Sequence, residues 1–177
     1  KGQSPTQETF TVGDGGSLGN VFVYVQSGLT GTFPAPTTAL VLDQKGCRYA
    51  PHVFGVQVGQ PIEILNGDPT LHNVHATPKV NSEFNTAQPI QGMKTSHTFT
   101  AKEPDVVIPF KCDVHGWMNA FVGVLDHPYF AVTGADGGYT VGLVAGADPA
   151  LAIRRIANAV APARIELARP RLEDVFI

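Results

Sequence analysis

Short runs of alternating apolar and polar residues, punctuated by glycine and proline, dominate the chain. Phe10-Thr11-Val12 and Asn20 to Val25 read as strand, turn and strand, with Gly13 to Gly19 between them. Val21, Val23 and Val25 alternate with Phe22 and Tyr24, so both faces of that second run carry apolar or aromatic surface. Ala39 to Leu42 predicts another short strand. Phe54, Val56 and Val58 alternate, Gly59-Gln60-Pro61 turns, and Ile62 to Leu65 resumes. Asn66-Gly67-Asp68-Pro69 is a strong turn signal. Leu71 to Gly92, rich in Asn, Thr, Pro and Gln, reads as loop rather than sheet. Ser96 to Thr100, Val106 to Lys111, Phe121 to Leu125 and Tyr139 to Val144 complete the set. About eight short strands at roughly regular spacing predict an antiparallel sandwich or barrel.

After Gly146 the pattern changes. Asp148 followed by Pro149 predicts a helix N-cap with proline at the first helical position. Leu151, Ile153, Ile156 and Val160 then fall roughly on one helical face. The expected organisation is a flexible N-terminus over residues 1–9, an all-β body over 10–146, and a short C-terminal helical tail over 147–177.

Composition narrows the function classes. The chain has 177 residues, and Lys+Arg 12 against Asp+Glu 15 leaves a net charge of −3, which argues against a basic nucleic-acid-binding surface. Gly 19 and Pro 14 are too many for a helical bundle, and 43% hydrophobic residues are too many for disorder. No run of about 18 apolar residues is present, so a membrane-spanning helix is not expected. The chain opens Lys1-Gly2-Gln3-Ser4-Pro5, without Met or an apolar signal region: either a targeting segment has been removed or the sequence starts late.

The candidate chemistry lies in Cys112-Asp113-Val114-His115-Gly116-Trp117-Met118 and, upstream, in Leu71-His72-Asn73-Val74-His75. Cys-x2-His-x2-Met places a thiolate, an imidazole and a thioether in one tight loop after a strand. One thiolate and two imidazoles with a distant Met form a soft trigonal set that suits copper in electron transfer. The second imidazole must come from another loop, and His72 follows the Asn66 to Pro69 turn. Zinc would accept Cys112, His115, His72 and His75, but it prefers a closed tetrahedron and has no use for Met118. A thioredoxin-type pair needs Cys-x2-Cys and haem attachment needs Cys-x2-Cys-His, and both are absent. A dinuclear copper centre would need a second Cys in the same loop.

These residues, with Ser96-His97-Thr98-Phe99 and the Glu103-Pro104 turn, resemble a cupredoxin of the plastocyanin/amicyanin type, a blue copper protein. The resemblance covers roughly Phe54 to Leu125, and the Cys-x2-His-x2-Met loop has the short amicyanin-like spacing. It implies a Greek-key β-sandwich, here with extra N-terminal strands, and one type 1 copper ion held by His72, Cys112, His115 and Met118. It implies Asn73 as the residue tying the two ligand loops together. It further implies a non-enzymatic electron carrier, periplasmic or otherwise extracytoplasmic. Its expected partner is a redox protein such as a c-type cytochrome or a membrane redox complex. The rival readings are a copper carrier or storage module, an interaction subunit of a membrane-associated redox complex, and a catalytic copper or zinc site with an open position.

Other features lie outside that resemblance. Cys47 reads as a buried structural thiol, with a second metal ligand alongside His52 as the alternative; a Cys47–Cys112 disulfide would consume the copper thiolate. His75, three residues past His72, is expected to point away as a loop residue, His97 to lie on a solvated strand face, and His127 to belong to a turn. His115, beside Gly116, is the expected electron exit, with Trp117, Met93 and Pro89 as a small apolar patch around it. Thr133 to Tyr139 resembles the hairpin of a carboxypeptidase-regulatory-like module. Arg171 to Phe176 resembles the extreme C-terminus of some ABC transporter ATPases, but no phosphate-binding Gly-Lys-Ser/Thr loop occurs.

Overall fold

The computed structural model describes residues 11–105, 107–139, 148, 150, 151 and 154. The chain divides into two compact units, Lys1–Val141 and Gly142–Ile177. In the second, Asp148 Oδ1 accepts a hydrogen bond from the Ala150 amide at 2.8 Å, as a helix N-cap does, and Ala150, Leu151 and Arg154 are helical. The remainder of the expected helix, and most of the strand expected over Tyr139 to Val144, lie outside the described residues. Among the described residues no helix is long and apolar enough to cross a membrane.

In the first unit the regular structure of the described residues is β, apart from one 3-10 turn at Asp14–Gly16. Its strands are β1 (Thr11–Val12), β2 (Leu18–Gly19), β3 (Phe22–Tyr24), β4 (Leu40–Gln44), β5 (Tyr49–Ala50), β6 (Val53–Gln57) and β7 (Pro61–Asn66). There follow β8 (His72–Ala76), β9 (Phe84–Gln88), β10 (Lys94–Thr98), β11 (Ile108–Lys111), β12 (Asn119–Leu125) and β13 (Phe130–Val132). One sheet runs β10-β7-β4-β5 and the other β6-β12-β11-β8-β9, with β1-β2 and β13-β3 as separate two-stranded ribbons. Most pairs are antiparallel, but β4 pairs β7 and β12 pairs β6 in parallel. Those two parallel pairings require the chain to cross between sheets rather than meander, since adjacent parallel strands cannot be joined by a hairpin.

The period-two pattern explains the core. Along β7, Ile62 and Ile64 are buried and alternate with Pro61, Glu63 and Leu65. Ile108 and Phe110 of β11 alternate with exposed Pro109 and Lys111. Leu42, Tyr49, Ile62, Ile64 and Phe99 meet Phe54, Val56, Val74, Phe110, Val122 and Val124 from the other sheet in one continuous cluster.

The expectation of a loop over Leu71 to Gly92 is overturned. β8 and β9 pair in register from His72↔Gln88 to Ala76↔Phe84. Asn and His have weak strand propensity, but Val74 and Ala76 are fully buried in the core, and their burial outweighs that preference. β2, inside the expected Gly13 to Gly19 turn, and β5 and β13, which the alternation did not reveal, are only two or three residues long.

The ribbon β13-β3 is seated on glycines. Gly55 of β6 and Gly123 of β12 are register partners, and a Cβ at Gly123 would lie 2.3 Å from Phe22 Cζ. A Cβ at Gly55 would lie 2.3 Å from Phe130 Cε2. The missing side chains leave room for the stacked Phe22 and Phe130 rings, 5.8 Å apart.

Candidate metal centre

The site lies at one end of the sandwich, where the β4–β5, β7–β8 and β11–β12 turns converge. β11 ends at Lys111 and delivers Cys112 into a tight loop before β12 begins at Asn119. Two backbone bonds shape that loop: the Cys112 amide donates to Met118 O at 3.0 Å and the Met118 amide to His115 O at 2.9 Å. His72 opens β8, and its side chain is fully buried.

The ligand loops meet nitrogen to nitrogen. His72 Nδ1 and His115 Nδ1 stand 3.1 Å apart, and Cys112 Sγ is 3.7 Å from His115 Nδ1. Two nitrogens sharing one ion at bond lengths of about 2.0–2.1 Å stand roughly 3.2–3.6 Å apart, and a nitrogen and a sulfur roughly 3.4–3.8 Å. The donor set therefore fits a single soft cation. Asp68 Oδ2 lies 3.0 Å from His72 Nε2, which favours the tautomer with its proton on Nε2 and leaves Nδ1 as a lone-pair donor. Burial, and then the neighbouring His72, hold the His115 imidazole below its ordinary pKa and so in the neutral, ligating form.

The structure thus brings His72, Cys112 and His115 together through the His72–His115 and Cys112–His115 contacts. Met118, only 2% exposed, belongs to the hydrophobic core cluster at the end of the loop. Asn73 holds the two loops in register: its Oδ1 accepts from the Asp113 amide at 2.7 Å, and its Nδ2 donates to Asn85 Oδ1 at 2.7 Å. Asp113 in turn accepts from Asn85 and pairs with His75 Nδ1 at 2.9 Å. Burial pushes the Asp113 carboxyl up, but bonds from Asn85, His75, Lys111 and Asn73 outweigh it and bring the pKa down to about 2.

The remaining expectations divide. Cys47 is not a buried structural thiol. It is half-buried, and its sulfur and the donor atoms of His72 and His115 all lie within 4.8 Å of one another. Burial, Asp68 and Cys112 push its thiol pKa up. Proximity in sequence could not have revealed this convergence. His52 stands elsewhere, its Nδ1 bonded to Asn119 O at 3.0 Å.

His75 lies on a strand rather than in a loop, held between Asp113 and Glu83. His97 does not lie on a solvated face. Its ring stacks on Phe84 at 3.8 Å and meets Phe99 edge-on, and burial lowers its pKa. The flat aromatic surface of Phe84, supplied by the unforeseen β9, covers it. His127 sits in the turn after β12, where its Nδ1 accepts from the Tyr129 amide. Beside His115, the Trp117 ring lies 5.3 Å away and is 36% exposed, and Val114 is 50% exposed; Pro89 is exposed and Met93 partly so.

No family model matches the chain, and no curated protein matches it. Among solved structures the chain is similar to a copper(I) form of an amicyanin variant, at 27% identity over 49% of this chain and 81% of that one, with a TM-score of 0.42. It is similar to a purple cupredoxin from Nitrosopumilus maritimus at 20% identity, over 48% of this chain and 98% of that one, with a TM-score of 0.40. A copper-containing nitrite reductase from Thermus scotoductus aligns at 20% identity over 58% of this chain and 25% of that one, with a TM-score of 0.45.

Proposed function

We propose that this chain is a cupredoxin-like copper protein that carries single electrons between redox partners outside the cytoplasm. The observation that carries this reading is the approach of His72 Nδ1 to His115 Nδ1 at 3.1 Å, with Cys112 Sγ 3.7 Å from His115 Nδ1. Two imidazole nitrogens at that distance share either a proton or a cation, and the adjacent thiol makes a soft cation the fitting one. Copper supplies a one-electron couple when bound at such a set.

The chain's own residues hold the donors still. Asp68 orients His72, Asn73 locks the Cys112 loop, and Met118, Phe110 and Val74 exclude water from below. Little reorganisation on oxidation or reduction is what rapid electron transfer requires of a site. His115 is partly exposed while His72 is fully buried, which favours His115 as the edge through which electrons leave. The apolar surface of Trp117 and Val114 beside it suits a small, transient redox contact.

The test is reconstitution with Cu(II). One copper per chain and an intense sulfur-to-copper charge-transfer band are expected, and Cys112→Ser should abolish the band. A colourless protein that retains no copper would refute the reading. A carrier or storage role would show instead as rapid exchange of metal with an external chelator in both oxidation states.

A further inference from the structure

We infer that Cys47 is a direct ligand in this site, so that two thiolates and two imidazoles surround the ion in place of one thiolate and a Met118 thioether. The inference rests on the copper reading above and deepens it. Its first support is placement. Cys47 Sγ shares a mutual neighbourhood of 4.8 Å with the donor atoms of His72 and His115, the same two imidazoles that face each other beside Cys112.

The second support is how Cys47 is held there. Gly46 and Cys47 occupy the two central positions of the β4–β5 hairpin turn, closed by the Lys45 amide on Arg48 O at 3.0 Å. Both have positive φ, 64° at Gly46 and 53° at Cys47. Hairpin turns of that hand favour Gly or Asn at such positions, and a cysteine there carries a conformational cost. The cost is offset by bonds to both ligand loops. Asp68 Oδ1 accepts from the Gly46 amide at 2.9 Å and Oδ2 from the Cys47 amide at 2.8 Å, while the same Oδ2 contacts His72. From the other side, Trp117 Nε1 donates to Cys47 O at 3.1 Å, and the Trp117 ring lies 5.3 Å from that of His115. The turn is thereby clamped to the His72 turn and to the Cys112–Met118 loop at once.

The chemical consequence is a closed, more electron-rich site. A second thiolate stabilises the oxidised ion more than the reduced one, so the reduction potential falls relative to a one-thiolate site. Two thiolates and two imidazoles are also a set that zinc accepts, so the full chain can be probed with Cu(I) and with Zn(II) separately.

The experiment counts sulfurs. Both cysteines are alkylated with iodoacetamide in the metal-free, Cu(I)-loaded and Zn(II)-loaded chain, and modification is read by peptide mass spectrometry. X-ray absorption of the copper form gives the number of short Cu–S bonds. We expect both Cys47 and Cys112 to be protected at least tenfold by either metal, and two short sulfurs in the parent chain. Cys47→Gly should reduce the count to one and shift the charge-transfer band. It should fold at least as well as the parent, because glycine tolerates the positive φ. Protection of Cys112 alone, with one short sulfur in both proteins, would overturn the inference while leaving the copper reading intact. Absence of retained copper and of any charge-transfer band would remove both. Should Cys47→Gly fail to fold, alkylation and the sulfur count of the parent chain still decide.

Discussion

Asn73 Oδ1 accepts the Asp113 amide at 2.7 Å, joining the residue after one candidate ligand, His72, to the residue after another, Cys112. Asn73 is 5% exposed, and its removal leaves the part-buried Asp113 amide without its acceptor. Asn73→Ala is expected to destabilise the fold by about 2–3 kcal/mol. It should also weaken copper retention roughly 10- to 100-fold, as loss of a residue supporting a metal ligand does. Chemical denaturation and chelator competition measure the two effects separately.

Glu103 contributes stability that acid removes. It is 7% exposed and accepts the amides of Lys79, Val80 and Asn81 at 2.8, 3.0 and 2.8 Å. Burial pushes its carboxyl up, but those amides and the Asn81 side chain outweigh burial and hold it below the ordinary 4.5. A carboxyl with a lowered folded pKa stabilises the fold above its unfolded pKa, and that contribution is lost as pH falls through the folded value. Thermal stability should therefore decline from about pH 4.5 downward. Glu103→Gln should be less stable at pH 7 and show a shallower decline, and melting curves across pH 2–7 test this.

Gly123 leaves space that Phe22 fills. Gly123→Ala is expected to cost about 1–3 kcal/mol, because its Cβ would meet the Phe22 ring at 2.3 Å. In Phe22→Ala/Gly123→Ala the two losses should fall short of additive, since the clash disappears with the ring. Equal, additive losses in a double-mutant cycle would contradict the packing described.

Met118 separates the two sulfur assignments from a different side. It is 2% exposed within the core cluster, so Met118→Leu, which conserves volume, should cost less than about 1.5 kcal/mol. With Cys47 as the fourth ligand, copper is retained and the reduction potential changes little. A clear rise in potential by voltammetry would instead identify Met118 as an axial donor.

Much of the fold was legible in the sequence because it depends on neighbours along the chain, and the candidate ligands His72, Cys112 and His115 were legible from their residue types and spacing. Alternation along Ile62-Glu63-Ile64 and Ile108-Pro109-Phe110 determines which side chains face inward, since successive strand residues point to opposite faces. The spacing of Cys112 and His115 determines that both enter one loop. What tertiary structure alone decided is where distant turns meet. β8 and β9 became strands because the sheet buried Val74 and Ala76, against the weak propensity of Asn and His. His97 acquired a dry aromatic face only once β9 brought Phe84 onto it. Cys47 lies 70 residues before Trp117, and nothing in the local pattern at either position marks the other. Their contact exists because two sheets pack face to face and bring the β4–β5 and β11–β12 turns to the same end. Periodicity reports the environment of a residue within its own strand, whereas convergence of loops depends on the packing of every strand that carries them.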